Sequence, residues 1–277
     1  MRILVTGGEG FIGSNLCKVL VSNHNVFSID NHFTGSENNR IPGVSYIYDN
    51  TKHISRYDYI KPNVIFHLGE YSRVEQSFED KNLVFDYNII GTREVFDYAL
   101  RYNARIIYAG SSTKFGDIGP NSSPYAWSKA NNTQLVKNYH DWFGLNYSIV
   151  YFYNVYGAGE ISEGKYATLI AKFIKKYKNN EVLTVTAPGT QKRNFTHIDD
   201  TVDALKFVLD KGTIEEYSIG STEAYSVLDI AKLFNTEIKM TDSVPGNRNT
   251  AAVNISSTLD LGWKPKHSVK TYIESIL

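Results

Sequence analysis

Tyr125 and Lys129, in Pro124-Tyr125-Ala126-Trp127-Ser128-Lys129, stand four residues apart and would share one face of a helix. A phenol with an ordinary pKa of about 10 is a poor base at neutral pH, and a neighbouring ammonium would lower it toward useful proton transfer. A Tyr-x-x-x-Lys pair arises often by chance, so its weight comes from its surroundings. Upstream lies Gly110-Ser111-Ser112-Thr113-Lys114-Phe115-Gly116, a hydroxyl-rich turn directly after the apolar run Arg105-Ile106-Ile107-Tyr108. Open α/β sheets hold their ligands at the carboxyl ends of such runs.

A second chemical signal opens the chain. Gly7-Gly8-Glu9-Gly10-Phe11-Ile12-Gly13 follows the first apolar run and leads into a helical pattern. Glycines there permit a tight turn and let the backbone approach a pyrophosphate at a helix N-terminus, which assigns Gly7, Gly10, Phe11, Ile12 and Gly13 to cofactor binding. Alone, a glycine triplet is a weak signal. Asp30 strengthens it by ending the second run, where an acid accepts from the adenosine ribose hydroxyls and repels a 2′-phosphate. With Asn31 and His32 following and no adjacent Arg or Lys, NAD is expected rather than NADP; a turn or cap role is the alternative for Asp30. Asp49, with Asn50 beside it, follows the third run where such folds set a side chain against adenine, although a loop or cap acid would look the same. Leu68 after the fourth run joins the cofactor set. Asn88, a poor helix former in mid-helix, either bonds the loop backbone that shapes the cofactor site or lies on the helix surface.

The elements that must position these groups are legible in the periodicity. Ile3-Leu4-Val5, Val26-Phe27-Ser28-Ile29, Val44-Ser45-Tyr46-Ile47, Val64-Ile65-Phe66, 105–108 and Tyr147-Ser148-Ile149-Val150 are short, β-branched or aromatic, and not strictly alternating, as strands buried on both faces should be. Helical stretches intervene near 11–22, 80–102 and 124–143. That alternation predicts an α/β fold with a doubly wound parallel sheet of the Rossmann type. From about Tyr156 the pattern loosens into helices near 164–178, 199–210 and 268–276 and a strand near 183–186, which predicts a smaller, partly interleaved C-terminal domain. The boundaries expected are 1–155 for the dinucleotide-binding domain, with 195–220 returning to it, and 156–194 with 221–277 for the second.

Composition narrows the function classes. The 277 residues are 42% hydrophobic and 21% charged, ordinary globular values that exclude disorder and coiled coil. Twenty-nine basic against 29 acidic side chains leave no electrostatic footprint for nucleic acid. The single cysteine, Cys17, rules out an internal disulfide and fits a reducing compartment. No apolar run reaches membrane-spanning length, and the run before Gly7 is too short for a signal-peptide core, so a cytoplasmic location is expected. The seven histidines are too far apart in sequence for a local ligand pair, and no metal is expected.

Taken in order, VTGGEGFIGSNL, SIDNHFTG, NVIFHLGEYSRVEQS, AGSSTKFGD, SPYAWSKA, YFYNVYGAGE, GTQKRNFTHIDD and LGWKP make the chain resemble the extended short-chain dehydrogenase/reductase family over nearly its whole length. Within it, the nucleotide-sugar epimerases and dehydratases are the most similar, with UDP-hexose 4-epimerases the nearest pattern. The resemblance implies that Ser111, Tyr125 and Lys129 are catalytic and that Asn154, Arg193 and Arg248 hold the diphosphate of a nucleotide-linked sugar. An arginine fork suits phosphate oxygens, which supports the last two independently. Two departures stand out. Gly69-Glu70 replaces the two alanines common after His-Leu, and the stretch between Phe234 and Trp263 is short.

The activity these residues imply is NAD-dependent epimerisation of a nucleotide-diphosphate sugar at C4 through a 4-keto intermediate. A 4-ketoreductase using the same triad is the rival within the family, and a non-catalytic dinucleotide-binding regulator is the rival outside it. Similar dehydratases carry a Glu two residues after the catalytic Ser/Thr, often preceded by an Asp; here those positions are Ser112 and Thr113, so water elimination is not expected. In the resembled family, helices matching 80–102 and 124–143 pack between subunits. The apolar excess there, including Phe85, Ile89, Phe96, Leu135, Val136, Tyr139 and Trp142, predicts a homodimer.

Overall fold

Short apolar runs alternating with amphipathic stretches build a sheet with helices on both faces. The computed structural model describes residues 1–115, 119–242 and 253–277. The chain passes through β1 (Arg2–Thr6), α1 (Phe11–Leu20), β2 (Asn25–Asp30), β3 (Ser45–Tyr48), β4 (Val64–His67), α2 (Lys81–Val84), α3 (Thr92–Arg101), β5 (Arg105–Ser111), α4 (Pro124–Phe143) and β6 (Tyr147–Phe152). It continues through β7 (Val155–Tyr156), α5 (Leu169–Lys178), β8 (Leu183–Thr186), β9 (Lys192–Asn194), β10 (Thr196–His197), α6 (Ile198–Lys211) and β11 (Glu216–Ile219). The last described elements are β12 (Ala224–Ser226), α7 (Val227–Lys232), β13 (Ile238–Thr241), α8 (Ser256–Asp260) and α9 (Val269–Glu274).

Seven strands form one parallel sheet in the order β11-β6-β5-β4-β1-β2-β3. Successive side chains feed opposite faces. Ile3 and Val5 join the core that includes Leu16 of α1 and Leu205 of α6, while Leu4 joins the core that includes Phe96 of α3 and Val136 of α4. Because both faces are covered, the strands show apolar runs rather than alternation. The winding reverses between β1 and β4, and this switch point opens a crevice at the carboxyl ends of the strands. β11 is absent from the runs that periodicity picks out, yet it pairs Glu216 with Ile149 at the sheet edge. A third apolar cluster, with Phe173, Leu183, Phe234 and Ile273, lies among the later elements. Among the described residues no helix is long and apolar enough to cross a membrane.

The stretch near 80–102 is not one continuous α-helix. A π-helical segment over Phe85–Gly91 separates α2 from α3 and turns Asn88 completely inward. Phe96, Val136 and Tyr139 are buried within the chain, so they do not contribute to an exposed apolar face. Phe85, Ile90, Trp127, Trp142 and Phe143 are exposed, and Phe85 meets Trp127 edge-on at 5.8 Å between ring centroids.

Candidate active site

α4 begins where its cap dictates. Ser123 Oγ accepts the Ala126 N–H at 3.0 Å and Pro124 takes the first helical position, while Gly144 ends the helix with φ of 77°. Tyr125 therefore sits in the first turn and Lys129 one turn on. Ser111, the last residue of β5, brings its Oγ to 3.1 Å from the Tyr125 hydroxyl, 2.9 Å from Thr113 Oγ1 and 3.2 Å from the Thr113 N–H. Lys129 is buried. Its ammonium donates to the Glu70 carboxylate and to the Ala109 carbonyl, and lies 4.6 Å from the centre of the Tyr108 ring. An ammonium has three protons, so one remains for a further acceptor.

These groups face a cleft of about 660 Å³ that runs from the glycine turn across the strand ends. Gly7, Gly10, Phe11, Ile12, Gly13, Asp30, Asn31, Asp49 and Leu68 line it together with Ser111, Tyr125, Lys129, Asn154 and Arg193. The turn requires its glycines: Gly7 has φ of +72°, and a Cβ on Gly13 would lie 2.0 Å from the Gly7 carbonyl oxygen. α1 can start against the turn only because nothing projects there.

Asp30 is buried at the end of β2, with Oδ2 accepting the Glu9 N–H and Oδ1 the His32 N–H, both at 2.9 Å. Burial pushes its carboxyl up, and the two backbone bonds pull the other way. Sequence reasoning missed the neighbour that this turn recruits. Glu9 is completely buried, with its carboxylate 2.7 Å from Arg40 Nε and 3.0 Å from His32 Nε2. The guanidinium of Arg40, beside this turn, is thus already tied to an acid.

The remaining predicted residues divide by what they touch. Asp49 accepts from Asn50 N, His53 Nδ1 and the Tyr57 hydroxyl, each at 2.7 Å. Burial alone would raise its carboxyl, but the bonds from His53 and Tyr57 outweigh it and hold Asp49 below its ordinary value. Asn50 lies off the cleft and caps the 3-10 turn Thr51–Arg56, accepting from Lys52 N at 3.0 Å. Asn88 binds both sides of the Tyr71 backbone, N–H at 2.7 Å and carbonyl at 3.1 Å, and donates to Ser128 Oγ at 2.9 Å. It is a brace beneath the loop after β4. Asn154, with φ of 38°, donates to the Asn194 carbonyl at 2.8 Å. Arg193 lies on β9, opposite Tyr225 of β12. Arg248 lies outside the described residues.

Beneath the cleft runs a buried polar chain that sequence spacing could not reveal. Leu68 and Gly69 N–H groups donate to Thr6 Oγ1, which lies 2.8 Å from His67 Nδ1; His67 Nε2 lies 2.9 Å from Thr92 Oγ1, and Thr92 donates to Glu70 Oε1 at 2.8 Å. With Thr6 accepting twice and Thr92 donating onward, the network assigns a neutral His67 protonated on Nε2. Full burial pushes its pKa down to about 4. Glu70 is also reached by Asn132 Nδ2 at 3.0 Å and Tyr108 at 3.3 Å.

Asp199 and Asp200, both in the first turn of α6, behave differently. His197 Nδ1 accepts the Asp199 N–H, while buried Asp200 accepts the N–H groups of Lys266 and His267 and bonds the His267 ring at 2.9 Å. Asp200 anchors the C-terminal segment, and the fold thereby stacks the His197 and His267 rings at 4.4 Å, beside Asp199.

The model of the NAD dependent epimerase/dehydratase family matches residues 3–220. UDP-glucuronic acid decarboxylase 3 of Arabidopsis thaliana is 31% identical over 96% of this chain and 85% of its own. A putative UDP-glucose 4-epimerase of Methanocaldococcus jannaschii is 27% identical over 99% of this chain and 97% of its own. Among solved structures, UDP-glucuronic acid 4-epimerase from Bacillus cereus, in complex with UDP-glucuronic acid and NAD, superposes with a TM-score of 0.88 at 26% identity, covering 99% of this chain and 97% of that one.

Proposed function

The chain belongs to the NAD dependent epimerase/dehydratase family, and from that premise we propose that it epimerises a nucleotide-diphosphate sugar at C4. The observation that carries this reading is the Ser111–Tyr125 hydroxyl pair with the Thr113 hydroxyl 2.9 Å from Ser111, where similar dehydratases would place a carboxylate. Among the described residues no carboxylate bonds Ser111 or Tyr125, and Glu70 is committed to Lys129.

The turn at Gly7, Gly10 and Gly13, where Gly7 and Gly13 leave no room for a Cβ, and the Asp30 carboxylate at the end of β2 fit the pyrophosphate and adenosine ribose of NAD. Bound NAD supplies the acceptor and donor of a hydride. Tyr125 takes the proton of the C4 hydroxyl, and Ser111 orients that hydroxyl and relays the proton. Lys129, with one proton uncommitted, holds the ribose side of the site. Asn154, Arg193 and Arg248 grip the diphosphate, so the nucleotide is fixed while the 4-keto sugar turns and offers its other face. Residues 156–194 and 221–277 make up the nucleotide-sugar domain in this scheme. The exposed rings of Phe85, Trp127 and Trp142 join two copies as a homodimer.

A second reading, decarboxylation of a nucleotide-linked uronic acid, is favoured by the names of the curated relatives and by Arg73, a cation lining the same cleft. Mass spectrometry of heat-released cofactor, with a screen of UDP-, GDP-, CDP- and dTDP-sugars and UDP-glucuronic acid, separates the two. An isomer of unchanged mass supports epimerisation, and loss of carbon dioxide supports the rival.

A further inference from the structure

We propose that Glu70 is a positioning residue whose charge offsets that of Lys129 and thereby sets the pH at which Tyr125 can accept a proton. The inference rests on the reading of Tyr125 as the acid–base group. Glu70 and Lys129 lie 59 positions apart and meet because β4 and β5 are neighbours, with His67 in register with Tyr108. Both side chains are almost completely buried, at 3% and 5% exposure, so water screens their charges little.

The surroundings of Glu70 are those of an acceptor. Lys129, Thr92, Tyr108 and Asn132 all present donors to its two oxygens, and the His67 chain is polarised toward it from the other side. A carboxyl poised to give a proton to a substrate would need an acceptor facing it. This arrangement makes Glu70 a fixed counter-ion instead. Where alanine stands at this position, the lysine presents its full charge to the tyrosine; here the pair is neutral as a whole, and a tyrosinate gains less from it.

The other groups that bear on Tyr125 and Lys129 do not replace that charge. His67 at the end of β4 is neutral. Tyr108 on β5 is pushed well above its ordinary value by burial. Arg73, from the loop after β4, is a second cation acting on Tyr125, with its guanidinium bonded to the Tyr166 carbonyl; Glu160 acts on Arg73 in turn. Lys114 of the turn after β5, Lys137 of α4 and Glu216 of β11 form a separate cluster. Of these, Glu70 is the one acid in direct contact with Lys129.

The test is a pH titration of the tyrosinate absorbance that Tyr125→Phe removes, on NAD-loaded protein without substrate, in wild type, Glu70→Ala and Glu70→Gln. Both substitutions should move the midpoint down by about one pH unit or more, and the acid limb of kcat/KM should follow. A purely structural role would lower the melting temperature and leave the midpoint in place; an unmoved or raised midpoint in either folded variant overturns the proposal. So does failure of both variants to fold or hold NAD, because Glu70 would then be a structural anchor. Since the titration needs no substrate, a wild type that epimerises nothing counts against the C4 reading alone.

Discussion

The hydroxyls of Tyr125 and Ser111 stand 3.1 Å apart although one opens a helix and the other ends a strand. Tyr125→Phe keeps the ring and the helix and removes the proton carrier. Turnover should fall by about two to four orders of magnitude, with nucleotide-sugar affinity within a few-fold of wild type. Steady-state rates beside calorimetric binding check the split.

Asp30→Ala removes the ribose acceptor and the charge that repels a 2′-phosphate. NAD binding should weaken by about ten- to a hundredfold, the range for hydrogen bonds to a charged group, and the preference over NADP should narrow. Because Glu9 holds Arg40 at 2.7 Å, the variant should not become NADP-selective. Titration with both cofactors, followed by protein fluorescence, measures the ratio.

His67 gives the fold a defined acid sensitivity. Its pKa is depressed from 6.5 to about 4 in the folded chain, so between those values the unfolded state binds more protons and stability falls as the pH drops. The full loss is about 3 kcal/mol, present above the unfolded value and gone below the folded one. His67→Gln should flatten the dependence between pH 7 and pH 4.5, read as the difference in urea midpoints between variant and wild type.

Asn88→Ala should cost about 1–3 kcal/mol, because it leaves the Tyr71 backbone and Ser128 without their buried partner. Tyr71 belongs to the loop that lines the cleft, so NAD affinity should fall with the melting temperature.

Trp127→Lys and Phe85→Lys place charges on the exposed apolar face and should convert a dimer to monomers without lowering the melting temperature of the monomer. Light scattering over a concentration series reads this directly. A wild type that stays monomeric would leave Trp142 and Phe143 as surface rings packed only against rings of their own chain.

The parallel sheet was legible because strands buried on both faces carry runs of Ile, Val and Phe, and α4 because a helical pattern follows Pro124 through 143. The π-helical segment at 85–91 was not, since the pull that turns Asn88 inward comes from Tyr71, in a loop whose path periodicity does not record. Glu70 was visible as an odd residue, but its partner depends on strand order. Asp200 reads as a cap beside Asp199 because the sequence does not reveal that residues 266–267 return to it. Asn50 was picked out beside Asp49, but the cap its side-chain oxygen forms by accepting the Lys52 N–H is a local bond that spacing does not show.

The most direct test of C4 epimerisation uses a nucleotide hexose labelled with deuterium at C4, with the product read by NMR and mass spectrometry. Epimerisation by Tyr125 and Ser111 with a returned hydride predicts the C4 epimer, equal in mass, with deuterium still on C4. Loss of the label to solvent, or a product lighter by water or carbon dioxide, would contradict it.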